Sequence, residues 1–212
     1  MAGVNPKPTL LVVCTANVCR SPLAQRTLQD GLAGEGVLGD VRVTSAGVRA
    51  GDDWEICPVS AAALDPAVDR AFVQGHRSSP LTRGAIDEAA LVLTMEREHR
   101  SAVARLAPGS QSKVFTLREA EGLLEVLRER GAAPAADLDG LARALHSVRG
   151  FAPLPPPPPP KRRWFRAAPE PEDPLTIVDG HGLEDEEHEE SIRIVRSTTE
   201  RVATAMRAAL AS

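Results

Sequence analysis

The stretch TLLVVCTANVCRSP, residues 9–22, is the most informative segment of the chain. Its first six residues are mostly apolar and β-branched, which predicts a short buried strand. Beyond its loop residues, apolar side chains recur at helical spacing, at Leu23, Leu28 and Leu32. The stretch therefore predicts a strand that leads through a tight loop into a helix.

The rest of the chain repeats this alternation of strands and helices. We therefore expect an α/β fold, a three-layer sandwich with a central four-stranded parallel sheet and helices on both faces. The predicted strands are residues 9–14, 41–46, 89–94 and 113–117. The predicted helices are residues 62–72, 96–106, 118–130 and 138–148, and a last helix whose apolar face holds Ile192, Val195, Val202, Met206 and Leu210.

Length and composition predict a single domain over residues 1–212, since 42% of the chain is hydrophobic. Ten of the 18 prolines fall between residues 153 and 174. Such a segment favours polyproline II and cannot form a packed core element. We expect residues 150–174 to be a disordered insertion within the domain. The basic run KRRWFR inside it could contact an acidic partner or a membrane surface, or be a solvated linker.

Charge and cysteine usage exclude several classes of protein. A net charge of -4 gives no general attraction to nucleic acid, and no apolar run is long enough for a leader or a membrane span. The expected location is therefore cytoplasmic. The three cysteines follow no zinc-like spacing, so we expect free thiols, no metal and no cofactor.

The chemistry of the chain centres on Cys14 and Arg20, which are separated by five residues between the predicted strand and helix. Backbone N–H groups of such a loop, together with a helix N-terminus, can converge on one tetrahedral anion. A guanidinium matches phosphate geometry, and the same positive field favours a cysteine thiolate. The pattern predicts a phosphate-binding loop with a nucleophilic cysteine. The alternative is a buried structural cysteine near an arginine.

The segment VVCTANVCRSP resembles the phosphate-binding loop of the low-molecular-weight protein tyrosine phosphatases. Further segments resemble that family in the same order: VTSAG, DDWEIC, GHRSSPLT, LVLTMEREH and IVDGHG. The resemblance covers nearly the whole chain except about residues 131–174.

The resemblance implies a role for each matching residue. Cys14 is the expected nucleophile, Arg20 the phosphate clamp and Asp179 the general acid. The expected substrate-binding residues are Thr15, Ala16, Asn17, Val18, Cys19, Ser21 and Trp54, and the expected supporting residues are Ser45 and His76.

Two positions depart from the family pattern. Ala16 stands where the family usually has glycine, and Asp179 precedes Gly180 rather than proline. Because an Asp-Pro pair occurs at Asp173 and Pro174, Asp173 stays open as an alternative acid.

The resemblance implies a protein tyrosine phosphatase that hydrolyses phosphate monoesters through a phosphocysteine. Its substrate would be a phosphotyrosine protein or a small aryl phosphate. One alternative is a protein that binds phosphate or phosphopeptides without efficient catalysis. An arsenate reductase is a further alternative, but it would need more cysteines to relay oxidation, and none follows Cys57.

Overall fold

The computed structural model describes residues 7–34, 41–151 and 173–210. Four parallel strands form one sheet in the order β2-β1-β3-β4. The strands are β1 (Thr9–Cys14), β2 (Arg42–Gly47), β3 (Ala89–Thr94) and β4 (Val114–Thr116). The predicted four-stranded parallel sheet is confirmed.

Helices connect the strands and follow the sheet. They are α1 (Arg20–Gly31), α2 (Pro58–Ala62), α3 (Arg70–Gly75), α4 (Arg83–Glu88), α5 (Arg97–Leu106), α6 (Leu117–Glu129), α7 (Leu138–Ser147) and α8 (Asp185–Ala209), with a 3-10 helix at Pro108–Lys113.

The side chains of β1 alternate between two cores because successive residues of a strand point to opposite faces. Leu10 and Val12 pack into a core that α1, α6, α7 and α8 cover. Leu11 and Val13 pack into a second core with residues of α4 and α5. The sheet is therefore covered on both faces, and the predicted three-layer sandwich is confirmed.

The predicted helix over residues 62–72 is wrong. Two short helices, α2 and α3, flank a loop there. Asp65 Oδ1 accepts the N–H of Ala67 and Asp69 Oδ2 accepts the N–H of Asp65, at 2.8 and 2.9 Å. These local bonds compete with helical ones, and Pro66 has no N–H to donate.

The fourth strand is shorter than predicted, because a helix begins where residue 117 was expected to continue it. Thr116 accepts the N–H of Glu119 at 3.1 Å, and Glu119 accepts the N–H of Thr116 at 3.2 Å. This capping box starts α6 at Leu117. The helix α4 and the 3-10 helix were not predicted.

The strand order determines where a ligand can bind. The chain leaves the carboxyl end of β1 toward β2 on one side and leaves that of β3 toward β4 on the other, so a crevice opens between the ends of β1 and β3. The cysteine-containing loop begins at that end of β1.

Nearly all of the predicted insertion, residues 152–172, lies outside the described residues. Its disorder and its partner stay predictions. Within the three described ranges, no helix combines the length and the apolarity that crossing a bilayer requires.

Candidate active site

The phosphate loop, residues 14–21, connects β1 to α1. Cys14 is the last residue of β1, and Arg20 is the first residue of α1. The Cys14 Sγ atom is buried, lies 3.0 Å from Ser21 Oγ and accepts the N–H of Asn17 at 3.3 Å. These two contacts hold the sulfur at the base of the loop.

Asn17 holds this loop together. It is fully buried and has a φ of 56°, in the left-handed region that asparagine tolerates better than most residues. Its Oδ1 accepts the N–H of Ser79 at 2.8 Å, and its Nδ2 donates to Ser21 at 2.9 Å and to Ser45 at 2.8 Å. The Asn17 carbonyl lies 2.8 Å from His76 Nε2. The structure thus brings Ser21, Ser45 and His76 together around one side chain and its carbonyl.

His76 must donate its Nε2–H in this contact, because a carbonyl oxygen only accepts. Burial lowers the pKa of His76 below its ordinary value. The ring is therefore neutral near pH 7 and serves as a fixed donor to the loop backbone.

The end of β2 supports the loop from behind. A Cβ atom on Gly47 would lie 2.8 Å from the backbone of Ala16 and Asn17, so only glycine fits there. The Val48 N–H donates to the carbonyl of Cys14 at 3.0 Å. The methyl group of Ala16 is accommodated in this arrangement.

Arg20 closes the loop, with its side chain 1% exposed. Its Nη1 donates to a carboxylate oxygen of Glu96 and, at 2.8 Å, to the carbonyl of Ile177. Its Nη2 donates to Thr15 Oγ1 at 2.9 Å and to Asp179 Oδ2 at 2.5 Å. The guanidinium therefore joins the phosphate loop to Glu96, which follows β3, and to the segment that contains Ile177 and Asp179.

Two opposing effects set the charge of Arg20. Burial lowers its pKa, but the negative charges of Cys14, Asp179 and Glu96 outweigh burial and raise the pKa above its ordinary value. The guanidinium is thus positive at neutral pH, as an anion clamp requires.

His99 contacts the loop from α5, with its Nε2 3.1 Å from Thr15 Oγ1. Burial and the nearby Arg20 charge lower the pKa of His99 to about 4. The ring is therefore neutral at pH 7, and its buried Nδ1 has no hydrogen-bond partner among the described residues.

Asp179 belongs to the acid segment, residues 177–181, which is anchored at its N-terminal end. The Ile177 N–H donates to the carbonyl of Met95 at 2.9 Å, and Ser191 Oγ donates to the carbonyl of Val178 at 2.7 Å. The Asp179 side chain itself is 37% exposed. Asp179 therefore reaches Arg20 from an anchored segment while facing solvent.

Gly180 allows this segment to lie against α8. A Cβ atom there would come within 2.5 Å of His188 Cα and 2.9 Å of the Glu187 carbonyl. Glycine in place of the family's proline is thus required by close packing in this chain.

The other candidate acid lies elsewhere. Asp173 pairs with Arg97 Nε at 2.6 Å rather than with Arg20. The structure therefore brings Asp179, and not Asp173, to the guanidinium of the phosphate loop.

Trp54 stands on a loop that contacts the phosphate loop. Its N–H donates to Ser78 Oγ at 2.9 Å, and its carbonyl accepts the Ser78 N–H at 2.8 Å. The Cys57 N–H donates to the carbonyl of Val18 at 2.9 Å. The indole is 51% exposed, so its face is available to a ligand.

The Cys19 side chain lies among Cys57 and two histidines. The hydrogen bond between the two thiols raises the pKa of Cys19 and lowers that of Cys57. His181 Nδ1 is 3.5 Å from Cys19 Sγ, and His188 Nε2 is 3.8 Å from Cys57 Sγ. Any contact of Cys19 with phosphate therefore falls to its backbone N–H.

Sequence reasoning missed three contributors to this site. Glu96 pairs with Arg20, His99 contacts Thr15, and Gln25 accepts the Ser45 hydroxyl at 2.6 Å. The first two follow the predicted strand β3. Parallel strands present their carboxyl ends at one edge, so polar residues just after β3 were detectable candidates.

Residues 9–126 match the model of a family described as low molecular weight phosphotyrosine protein phosphatase. This match spans more than half of the chain and contains the whole phosphate loop. The chain belongs to this family. The predicted family assignment is confirmed.

Curated relatives agree with this assignment. A protein-arginine-phosphatase of Bacillus subtilis is 36% identical over 110 residues, 52% of this chain and 70% of the relative. The low molecular weight protein-tyrosine-phosphatase Etp of Escherichia coli K12 is 37% identical over 108 residues, 50% of this chain and 67% of the relative.

Solved structures show the same fold. The tyrosine phosphatase Wzb of Escherichia coli K30, determined in complex with phosphate, superimposes with a TM-score of 0.56 at 20% identity. The match covers 92% of this chain and 95% of Wzb. The fold thus extends over the acid segment and α8, which follow the residues that the family model matches.

Proposed function

We propose that this family member is a protein tyrosine phosphatase that hydrolyses phosphate monoesters through a phosphocysteine on Cys14. One observation carries the proposal. The same loop holds the Cys14 sulfur at its base and Arg20 at its mouth, with Asp179 2.5 Å from that guanidinium. Nucleophile, anion clamp and acid thus meet in one crevice.

The first step transfers the phosphoryl group to sulfur. The Cys14 thiolate attacks phosphorus in line, and the bond from phosphorus to the ester oxygen breaks. Arg20 and the loop N–H groups stabilise the charge that develops on the equatorial oxygens. Asp179, in its acid form, protonates the departing oxygen.

The second step frees the sulfur. The Asp179 carboxylate removes a proton from a water molecule, whose oxygen attacks phosphorus as the phosphorus–sulfur bond breaks. Inorganic phosphate leaves, and Asp179 is again protonated. Ser21 and the N–H of Asn17 stabilise the released thiolate through the contacts they make to the sulfur.

Arg20 links substrate binding to the acid. Before phosphate binds, one of its Nη atoms is bonded to Asp179. A phosphate dianion competes for the same guanidinium face, which releases the carboxyl group toward the ester oxygen. The exposure of Asp179 leaves it room for this shift.

An aryl phosphate is the substrate class that the crevice wall favours. The exposed face of Trp54 offers an apolar surface on which a phenyl ring can stack. The stacking surface therefore supports phosphotyrosine in proteins as the substrate, and small aryl phosphates can replace it in assays.

Phosphoarginine is a second candidate substrate. The Bacillus subtilis relative is named a protein-arginine-phosphatase. In this chain Asp52, Asp53 and Glu55 are exposed beside Trp54. Their negative charge would attract the cationic guanidinium that phosphoarginine leaves behind.

A comparison of the wild type with Cys14→Ser tests the proposal. The wild type should release p-nitrophenol from p-nitrophenyl phosphate, and rapid acid quenching should trap a phosphorylated peptide that contains Cys14. Cys14→Ser should give no turnover but should still bind vanadate, since the loop donors remain. Failure of the wild type to turn over, with vanadate still bound, would identify a phosphate-binding protein instead.

The same preparation discriminates between the two substrates. Matched peptides that carry phosphotyrosine or phosphoarginine at one position should be compared by phosphate release. We expect a higher kcat/KM for phosphotyrosine. A higher value for phosphoarginine would assign the chain to the second candidate.

A further inference from the structure

A cluster of two cysteines and two histidines lies beside the phosphate loop and has no part in the proposed chemistry. Cys19 precedes α1, Cys57 precedes α2, His181 follows Asp179 and His188 lies in the first turns of α8. Each residue is contributed by a different local segment. Only the fold brings them together.

The ligand atoms of this cluster converge. Sγ of Cys19 and ring nitrogens of His181 and His188 all lie within 4.8 Å of one another. The Cys57 thiol borders this group of three, because its Sγ lies 3.8 Å from His188 Nε2. The two imidazole rings meet edge to face, at an interplanar angle of 83°.

We propose that Cys19, Cys57, His181 and His188 bind one zinc ion in tetrahedral coordination. Zinc–sulfur and zinc–nitrogen bonds of about 2.3 and 2.0 Å place neighbouring ligand atoms of a tetrahedron roughly 3.3–3.8 Å apart. The Cys19–His181 and Cys57–His188 separations, 3.5 and 3.8 Å, fall within this range. The ligating atoms would be two Sγ atoms, Nδ1 of His181 and Nε2 of His188.

The chemistry of this cluster fits zinc better than a hard cation. Two thiolates and two neutral imidazoles are a frequent structural zinc set, whereas magnesium and calcium take oxygen ligands. Zinc would replace the protons on the two sulfurs and leave the site with no net charge. The sulfurs are buried and His181 is exposed, so an ion can enter from the histidine side.

Zinc at this position would fasten the acid segment to the phosphate loop. His181 is two residues from Asp179, and Cys19 directly precedes Arg20. If His181 and Cys19 both bind the same ion, Asp179 can move less far from the crevice. This consequence rests on the proposed function, but zinc binding itself does not.

The test uses the full chain in a Cys14→Ser background, so that the nucleophilic sulfur cannot hold the metal. After reduction and treatment with a chelator, zinc is titrated against a chromophoric competitor. We expect one zinc ion per chain. Cobalt in its place should give a sulfur-to-cobalt charge-transfer band and the intense visible bands of tetrahedral coordination.

Variants identify the ligands. His188→Asn and Cys57→Ser should each weaken zinc binding by at least about 100-fold, since changes merely next to a metal already cost 10–100-fold. The matched control is His146→Asn, at an exposed position on α7 that is remote in sequence from the cluster. Equal affinity in all variants, an octahedral cobalt spectrum, or no bound zinc would overturn the proposal.

Two further measurements hold even if a variant folds poorly. In the Cys14→Ser protein, zinc should protect Cys19 and Cys57 from alkylation. Hydrogen exchange should slow in residues 177–183 when zinc is added, and should not change in α5. Alkylation at equal rates with and without zinc contradicts the site. Protection without slowed exchange in residues 177–183 refutes only the link to the acid segment.

Discussion

The phosphate loop and the acid segment meet at Arg20 but are built differently. In the loop, Asn17 and Arg20 are almost completely buried, and Asn17 makes hydrogen bonds on every side. In the acid segment, Asp179 is 37% exposed, and the anchoring bonds are made by its neighbours Ile177 and Val178. The phosphate loop is preorganised, whereas the acid segment is held mainly at its N-terminal end.

The difference reflects what each region must do. Donors that stabilise developing charge must be in place beforehand, because reorganising them during the reaction costs free energy. A general acid has to reach an oxygen whose position changes with the substrate, so a segment that can shift is suitable. Changes in the loop should therefore alter stability and activity together, and a change at the acid should alter activity alone.

The largest effect is expected for Asp179→Asn. Turnover of an ester with a poor leaving group should fall by about 10²–10⁴, the usual contribution of general acid catalysis. An ester whose leaving group needs no proton should be affected much less. Steady-state kinetics on a series of aryl phosphates, with leaving-group pKa as the variable, measures the difference.

Asp173→Asn is the matched control for the acid. Because Asp173 pairs with Arg97, its loss should change turnover little for either kind of ester. A leaving-group-dependent loss in Asp173→Asn, and not in Asp179→Asn, would exchange the two roles. Thermal unfolding of Asp179→Asn should stay close to the wild type, as expected for a half-exposed side chain.

An intermediate effect is expected for Asn17→Ala. The substitution removes three side-chain hydrogen bonds and leaves buried partners unsatisfied, at roughly 1–3 kcal/mol per unsatisfied group. We expect a loss of about 3–5 kcal/mol in the free energy of unfolding. Chemical denaturation measures it, and phosphatase activity should fall in parallel.

Two further variants test the role of Asn17 more closely. Asn17→Gly should be less destabilised than Asn17→Ala, because glycine adopts the φ of 56° without strain. Gln25→Ala removes one hydrogen bond to Ser45 and should cost about 1 kcal/mol. If Asn17→Ala is as stable as Gln25→Ala, the loop does not depend on Asn17.

The smallest of the three main effects concerns His99, which contacts Thr15 of the phosphate loop. Its pKa is about 4 in the folded protein, against 6.5 for an unperturbed histidine. Below pH 6.5 the unfolded state binds a proton that the folded state refuses, so stability is lost as pH falls from 6.5 toward 4. At pH 4.5 this group should cost the wild type roughly 2–3 kcal/mol relative to pH 7.

Denaturant titrations from pH 7 to pH 4.5 test this pH dependence. His99→Gln should lose less stability over that range than the wild type, by the same 2–3 kcal/mol. His146→Gln, at an exposed position, should follow the wild type. Parallel curves for His99→Gln and the wild type would show that His99 titrates normally.

Local patterns were sufficient for much of the fold. β1 has the predicted bounds because a β-branched apolar run is confined to a few residues. The prediction failed at residues 62–72, where the side chains of Asp65 and Asp69 bond to nearby backbone and prevent a continuous helix. An apolar pattern does not reveal such competition, since it reports burial rather than hydrogen bonding.

The phosphate loop could be predicted from local sequence, because Cys14, Arg20 and Ser21 are close neighbours and the flanking strand and helix can be predicted from the same stretch. Only the tertiary structure placed Glu96 and Asp179 on Arg20 and His99 on Thr15, and gathered Cys19, Cys57, His181 and His188. These contacts join segments up to about 160 residues apart in sequence. These contacts form only where the parallel sheet brings particular strand ends and helix starts together. Packing of the whole core determines that arrangement.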